Sequence, residues 1–537
     1  MHNKKLFFCA LTSSLAGFLF GFDTVVISGA EKIIQSLWGL DSTVHGLAIS
    51  MALWGTVVGS LIGGWPTERL GRRTTLLSIG VLYLISAVGC AYAPEVYSFM
   101  VARFIGGLGI GISTIVAPMY ISEIAPPERR GRLTGMFQFN IVFGILMAFL
   151  SNSIISWLGD HAVISWITPD NAWRWMLGIA AVPSVIYGVI CLRLPESPRW
   201  LITHRNDRKA GLEVFRWINP NLNDSELNLL ADQVQASVTK LDHAEKFFTA
   251  RLRIPIMLAF LIAFFNQLSG INAILYFAPR IFEMTGVAKG AALSQSIGIG
   301  VTNLIFTYIG LWLIDRLGRR TLLYIGSFGY IASLGLCALA FSHWAPQFKV
   351  ASTAVELVQV TEAIKKDVPA NRNKVANDFT KAKDALMQAS NDTRYTPGQV
   401  VIANQDAPAV KEIAETALTT ASQAAGIGGK MVMLCIFAFI AAHAIGQGAV
   451  IWVFISEIFP NRNRSAGQTL GSSTHWVFAA LLTTFFPKMV DVMPPASIFG
   501  LFCFMMVLQL VWVKFMMPET KGIPLEELQK KLFGGQS

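Results

Sequence analysis

The chain has 537 residues, of which 53% are hydrophobic and 14% charged, with a formal net charge of +10. That apolar excess excludes an ordinary water-soluble domain and points to a chain that crosses a lipid bilayer many times. Its six cysteines lie inside apolar stretches without ligand spacing, so neither a disulfide framework nor a metal or cofactor site is expected.

In chain order, MHNKK and the apolar run behind it imitate a secretory leader. The run continues to Gly29 without a convincing cleavage site and reads as an uncleaved first span. It carries one carboxylate, Asp23, in LAGFLFGFDTVVISG. Further stretches long enough to cross the hydrocarbon core are centred near Val57, Leu84, Gly109, Gly144, Pro183, Phe265, Val301, Leu334, Ile440, Ala479 and Met506, which makes twelve spans. All are expected as helices, because lipid offers the backbone no other partner. The fourth, MVARFIGGLGIGISTIVAPMYI, carries a single arginine, Arg103. An ionised group at such depth is costly and usually marks an ion or proton path. The bland alternative is a structural ion pair.

The basic residues fall in alternate short loops, those after spans two, four, six, eight and ten, which places both ends of the chain in the cytoplasm. The positive charge therefore reports topology, and a nucleic-acid partner is not expected. GGWPTERLGRRTTL after span two recurs as GLWLIDRLGRRTLL after span eight, SEIAPPERRGR as SEIFPNRNRSA, and LPESPRW as MPETKG. Three matches at one offset imply two six-helix halves related by an axis along the membrane normal. These loops set carboxylates beside arginines: Glu68 with Arg69 and Arg73, Glu123 with Arg130, Asp315 with Arg316 and Arg320, Glu457 with Arg464. They read either as orientation signals or as a cytoplasmic latch that holds the halves together in one conformation.

The organisation read from these signals is a first bundle over 1–195, a cytoplasmic helical linker over 196–250, and the start of a second bundle over 251–343. An outer-side insert over 344–428 follows, helix-periodic and balanced in charge, then the rest of the second bundle over 429–517 and a cytoplasmic tail over 518–537. The insert reads as a folded helical cap, with disorder as the alternative. No nucleophile and base stand together as an enzyme would need them.

FGFDTVVISG, the two RLGRR loops, PESPRW, NQLSGINAILYFAPRIF, SEIFPN and PETKG together resemble the sugar porters of the major facilitator superfamily. The resemblance covers nearly the whole chain except the insert. It implies the all-α major facilitator fold, a bacterial inner membrane or other plasma membrane, a monomer, and alternating access to a central monosaccharide site. The residue chemistry agrees, since amides match sugar hydroxyls and aromatic rings cover the apolar face of the ring. Gln138, Asn266, Gln267, Asn272 and Asn303 lie within otherwise apolar spans, and span ten carries Trp452. Any one of these amides could instead tie helices together. Ser269 and Gly270 can break span seven, letting Gln267 and Asn272 point into one cavity. Tyr276 and Phe277 resemble an aromatic gate. Two departures stand out: Asn266 replaces a glutamine, and GQGAVIW replaces a proline-rich run, so Gly446 and Gly448 supply the flexibility and Gln447 adds a polar candidate.

Asp23 opposite Arg103 resembles the proton symporters of the family rather than its uncoupled facilitators. Burial and the arginine act on the carboxyl in opposite senses, so its protonation would depend on conformation. The expected function is thus monosaccharide and proton symport, the substrate a hexose or pentose with a lean to fructose, with uncoupled facilitation or sugar sensing as alternatives. His443 in AAHAIG and His475 in the HW pair resemble the animal fructose facilitator, whereas Trp452 resembles aldose carriers; packing histidines would explain both equally well.

Overall fold

A computed structural model describes residues 4–220, 222–239, 247–365, 372–402, 406–460 and 463–522. Among the described residues there is helix and no strand. Eleven segments are long and apolar enough to cross a bilayer: Lys4–Gly29, Ser42–Ile62, Arg72–Tyr92, Val96–Ile124, Gly131–Asp160, Ala172–Cys191, Ala250–Tyr276, Lys289–Leu317, Arg319–His343, Gly428–Ile458 and Pro495–Phe515. The twelfth, Arg464–Val492, has the length. Its Ser, Thr, Gln and His residues lower its hydropathy, and these are the polar side chains a lined cavity requires. Counting it as span eleven and Pro495–Phe515 as span twelve gives the expected set, with the start of span one and the end of span twelve on one face, here called the terminal face.

The packing has the duplication that the repeated loops imply. Spans one and five pack together, as do seven and eleven; two and four match eight and ten; three and six match nine and twelve. The halves meet where span two packs on span eleven and span five on span eight, which are equivalent pairs under the same exchange. The symmetry extends to single dihedrals. Gly71 has φ +92° and Gly318 φ +93°, in the region that only glycine enters without strain. A Cβ on Gly71 would stand 2.3 Å from the Glu196 carboxylate, and one on Gly318 2.6 Å from that of Glu519. Glu196 accepts from the backbone N–H of Arg72 at 2.9 Å, and Glu519 from that of Arg319 at 3.0 Å. In each half, then, a carboxylate from the loop behind the bundle seats on the first turn of a helix, as an anion does at an N-terminus.

Two spans are interrupted. Span seven runs as helix over Arg253–Leu268, breaks at Gly270, and resumes as Ile271–Tyr276 and Ala278–Glu283. Gly270 has φ +88°. Span ten breaks at Gly446, against which Gly326 of span nine packs backbone to backbone.

Between spans six and seven, helices Pro198–His204, Arg208–Ile218 and Asp224–Thr239 share a small core of Ile202, Phe215, Leu227, Ala231 and Val234. Between spans nine and ten, on the opposite or far face, Ala345–Lys365, Arg372–Ser390 and Ala407–Ala425 form a helical unit with its own core around Val350, Leu357, Leu386, Val410 and Ala421. Most of the expected tail, 523–537, lies outside the described residues.

Candidate functional site

The glycine break in span seven decides the geometry of the amides. Five residues of straight helix would place Gln267 and Asn272 on different faces, yet Asn272 Nδ2 donates to Gln267 Oε1 at 2.6 Å. Gln267 Nε2 in turn donates to Asn266 Oδ1 at 2.9 Å and lies 3.1 Å from both ring nitrogens of His475 on span eleven. The His475 ring stands 5.1 Å from that of Trp452 and 4.6 Å from that of Trp476. Trp476 meets Phe20 of span one at 5.5 Å, which closes the cluster against the other half. Asn266, Gln267, Asn272, His475 and Trp452 thus form one polar and aromatic patch between the halves.

Trp476 Nε1 is buried there with no partner. Trp476 was not among the candidates, although it is half of the HW pair that drew attention to His475, and Phe20 carried no sequence signal beyond its apolar span.

The remaining candidates lie outside that cluster. Asn303 is buried on span eight and accepts from Thr307 at 3.3 Å. Gln138 stands half-buried on span five, which packs on span eight. His443 is bonded to the Tyr330 hydroxyl at 2.6 Å. Gln447, expected among the ligand contacts, donates instead to Gln509 at 2.8 Å, and Gln509 donates to Ser327. This relay ties spans nine, ten and twelve within one half, because the break at Gly446 turns the following side chain inward.

Asp23 and Arg103 meet inside the first half. Arg103 Nη1 donates to Asp23 Oδ2 at 3.1 Å, and both terminal nitrogens reach the Asp23 backbone carbonyl at 3.3 and 3.4 Å. The residues are 1% and 5% exposed, so the Asp23 carboxylate and backbone carbonyl stand in for the water that Arg103 has lost. Arg103 Nε has no partner. The absent side chain of Gly106 makes room for this contact, since a Cβ there would lie 2.4 Å from Ser86 Oγ and 3.5 Å from Asp23 Oδ2. Tyr276 is buried within electrostatic reach of both charges. It lies one turn beyond Asn272 on the segment Ile271–Tyr276, which packs on span one, the carrier of Asp23.

Phe277 stacks on Phe486 of span eleven at 5.0 Å, sealing the far side of the cluster. Nearby, Ser50 and Thr484 hydroxyls bond at 2.6 Å across the halves, and a Cβ on Gly46 would fall 1.9 Å from the Thr484 carbonyl oxygen. The far face is closed.

On the terminal face the arginine pairings differ from those expected. Glu123 pairs with Arg72 at 2.8 Å, and Glu457 with Arg319 at 2.7 Å. Asp315 pairs with Arg319 at 3.4 Å rather than with Arg316 or Arg320. Arg73 and Arg320 turn away and donate to the backbone carbonyls of Leu192 and Lys514, each at 2.7 Å. Arg69 and Arg316 lie over the rings of Trp65 and Trp312. Glu68 and Arg464 enter no ion pair among the described residues, and the Arg130 side chain lies outside them. Among the described residues, the ion pairs of the bundle helices on this face each run within one half, and Arg208–Asp232 and Arg216–Asp224 stay within the linker.

A family model described as "Sugar (and other) transporter" matches residues 9–357 and 413–532. The unmatched interval falls within the far-face helical unit. The arabinose-proton symporter of Bacillus subtilis is 30% identical over 519 residues, covering 96% of this chain and 93% of that protein. Inositol transporter 4 of Arabidopsis thaliana is 30% identical over 559 residues, covering 97% and 91%. Among solved structures, the partially occluded inward-open conformation of the xylose transporter of E. coli matches with TM-score 0.69 and 25% identity, over 97% of this chain and 100% of that one.

Proposed function

Since this chain belongs to the sugar transporter family, we propose that it is a monosaccharide and proton symporter of the plasma membrane working by alternating access. The observation that carries the coupling is the buried Asp23–Arg103 pair, on a span that packs against the segment bearing Asn272. In this reading the terminal face is cytoplasmic, as the arginine-rich loops favour, and the structure stands closed to the outside.

Protonation of Asp23 from the outside removes the charge that holds Arg103. It thereby loosens span one against span four just as sugar, held by the amides of span seven, draws that span toward the first half. Release of sugar and proton to the cytoplasm restores the ion pair and the arrangement seen here. Each proton carried inward draws about 2.3 kcal/mol from every 100 mV of membrane potential. The pairs Arg72–Glu123 and Arg319–Glu457 hold the helix ends of each half in place, and the latch reading becomes one in which they exchange partners when the cytoplasmic face closes.

The substrate is a hexose or pentose. Ketose recognition, with fructose as its test case, rests on His475, because His443 is committed to Tyr330. The far-face helical unit is an accessory cap outside the transport cycle. Addition of sugar to energised vesicles should alkalinise the outside medium in step with uptake. Uptake with no proton movement would replace symport by facilitation. An uptake panel in which xylose or glucose saturates and fructose neither competes nor enters would remove the ketose reading alone.

A further inference from the structure

The far-face closure contains a buried carboxylate that the coupling scheme does not use. Glu31 follows span one in the first half and is 1% exposed. Arg280, on the gate segment just after Phe277 in the second half, holds it with two bonds, Nε to Oε1 at 2.8 Å and Nη2 to Oε2 at 2.7 Å. His45 Nε2, from span two of the same half as Glu31, lies 2.8 Å from Oε2. His45 is fully buried, its ring stands 6.4 Å edge-on to Phe277, and its Nδ1 has no partner among the described residues.

A two-pronged guanidinium–carboxylate pair across the halves is a strong closing contact. It is also an obstacle, because a carrier must open this face once per cycle. Separation would strand a buried carboxylate, the costliest outcome for such a pair. Burial pushes the Glu31 carboxyl up, but the charges and hydrogen bonds of Arg280 and His45 more than reverse this and leave it at about 2. While Arg280 and His45 are in contact, the carboxyl is thus held in its charged form.

We infer that Glu31 is handed between two partners: Arg280 closes the outer gate by bridging the halves, and His45 keeps Glu31 bonded within its own half when Arg280 departs. His45 is thus a positioning residue that favours the open state, even though in the closed state it looks like one more closing contact. The inference rests on the alternating-access reading above, and its test separates the two.

Ser50 lies one and a half turns below His45 in the sealed seam, bonded to Thr484. Ser50→Cys, labelled with a membrane-impermeant maleimide from the far side, reports opening; the parent protein, whose own cysteines are mostly buried, sets the background. Sugar and pH should modulate the labelling rate; a rate indifferent to both would defeat alternating access itself. Arg280→Met should raise labelling on the order of tenfold, and Arg280→Lys by less. His45→Ala should lower it and slow maximal uptake with little change in KM. His45→Gln, which retains a donor for Glu31, should lie near the parent and shows that loss in the alanine variant is not misfolding. With Glu31→Gln as background, His45→Ala should have no effect. Sugar-dependent labelling that Arg280→Met leaves unchanged would overturn the lock. Labelling that rises in His45→Ala, or falls equally with Gln at 31, would overturn the exchange.

Discussion

Gln267 makes more polar contacts than any other member of the central patch, touching Asn266, Asn272 and His475. Replacing it or Asn272 by Ala should weaken sugar binding by about 1 to 3 kcal/mol, because a sugar hydroxyl loses its partner in a desolvated site. Titration calorimetry on the purified carrier reads this directly. Since the two amides are bonded to each other, the double variant should lose less than the sum of the singles. His475→Ala should reduce fructose binding more than that of any aldose, whereas His443→Ala should act on stability through Tyr330 with no selectivity change; a competition panel distinguishes them. The residues of this patch were largely legible in the sequence because an amide inside an apolar span is conspicuous. Gln447 was equally conspicuous and went into the bundle, since periodicity does not say which way a side chain turns after a break. Glu31 and Arg280 escaped notice for the opposite reason: charges at the ends of spans look like solvated termini, and only the fold brings residues 249 positions apart into one buried bond.

At the scale of the element, the break in span seven is what makes the site. Gly270 has φ +88°, and a Cβ there would lie 2.6 Å from the Phe502 ring. Gly270→Ala should therefore cost about 1 to 3 kcal/mol of backbone strain alone and pull Asn272 off Gln267. Reduced thermal stability together with weakened sugar affinity is the expected result, and a variant that changes neither would show that the bend is not needed. The Ser-Gly pair made this bend readable in advance. The tandem arginines of the RLGRR loops were harder. Sequence shows two adjacent guanidinium groups and a nearby carboxylate, but helix phase directs the first of each pair, Arg72 or Arg319, at the glutamate and the second at a carbonyl. The far-face helices bury their own core, so replacing 346–426 with a short Gly/Ser linker should leave transport intact. A shortened carrier that reaches the membrane but moves no sugar would give the unit a part in delivery or gating.

For the whole molecule, closure is asymmetric. Bonds and stacked rings join the halves on the far face, while on the terminal face no described ion pair crosses from one half to the other. Twelve spans in two copies could be inferred from hydropathy and three repeated loops, but which face is shut could not, because the same sequence must serve both states. The proposed coupling spans both halves, because the Asp23–Arg103 pair lies in the first and the amide cluster in the second. The direct test is sugar accumulation in proteoliposomes under an imposed proton gradient, comparing the native carrier with Asp23→Asn. The native protein should concentrate sugar above the outside level. Asp23→Asn, whose amide imitates the protonated acid, should bind and exchange sugar yet only equilibrate it. Full proton-driven accumulation by Asp23→Asn would contradict the account.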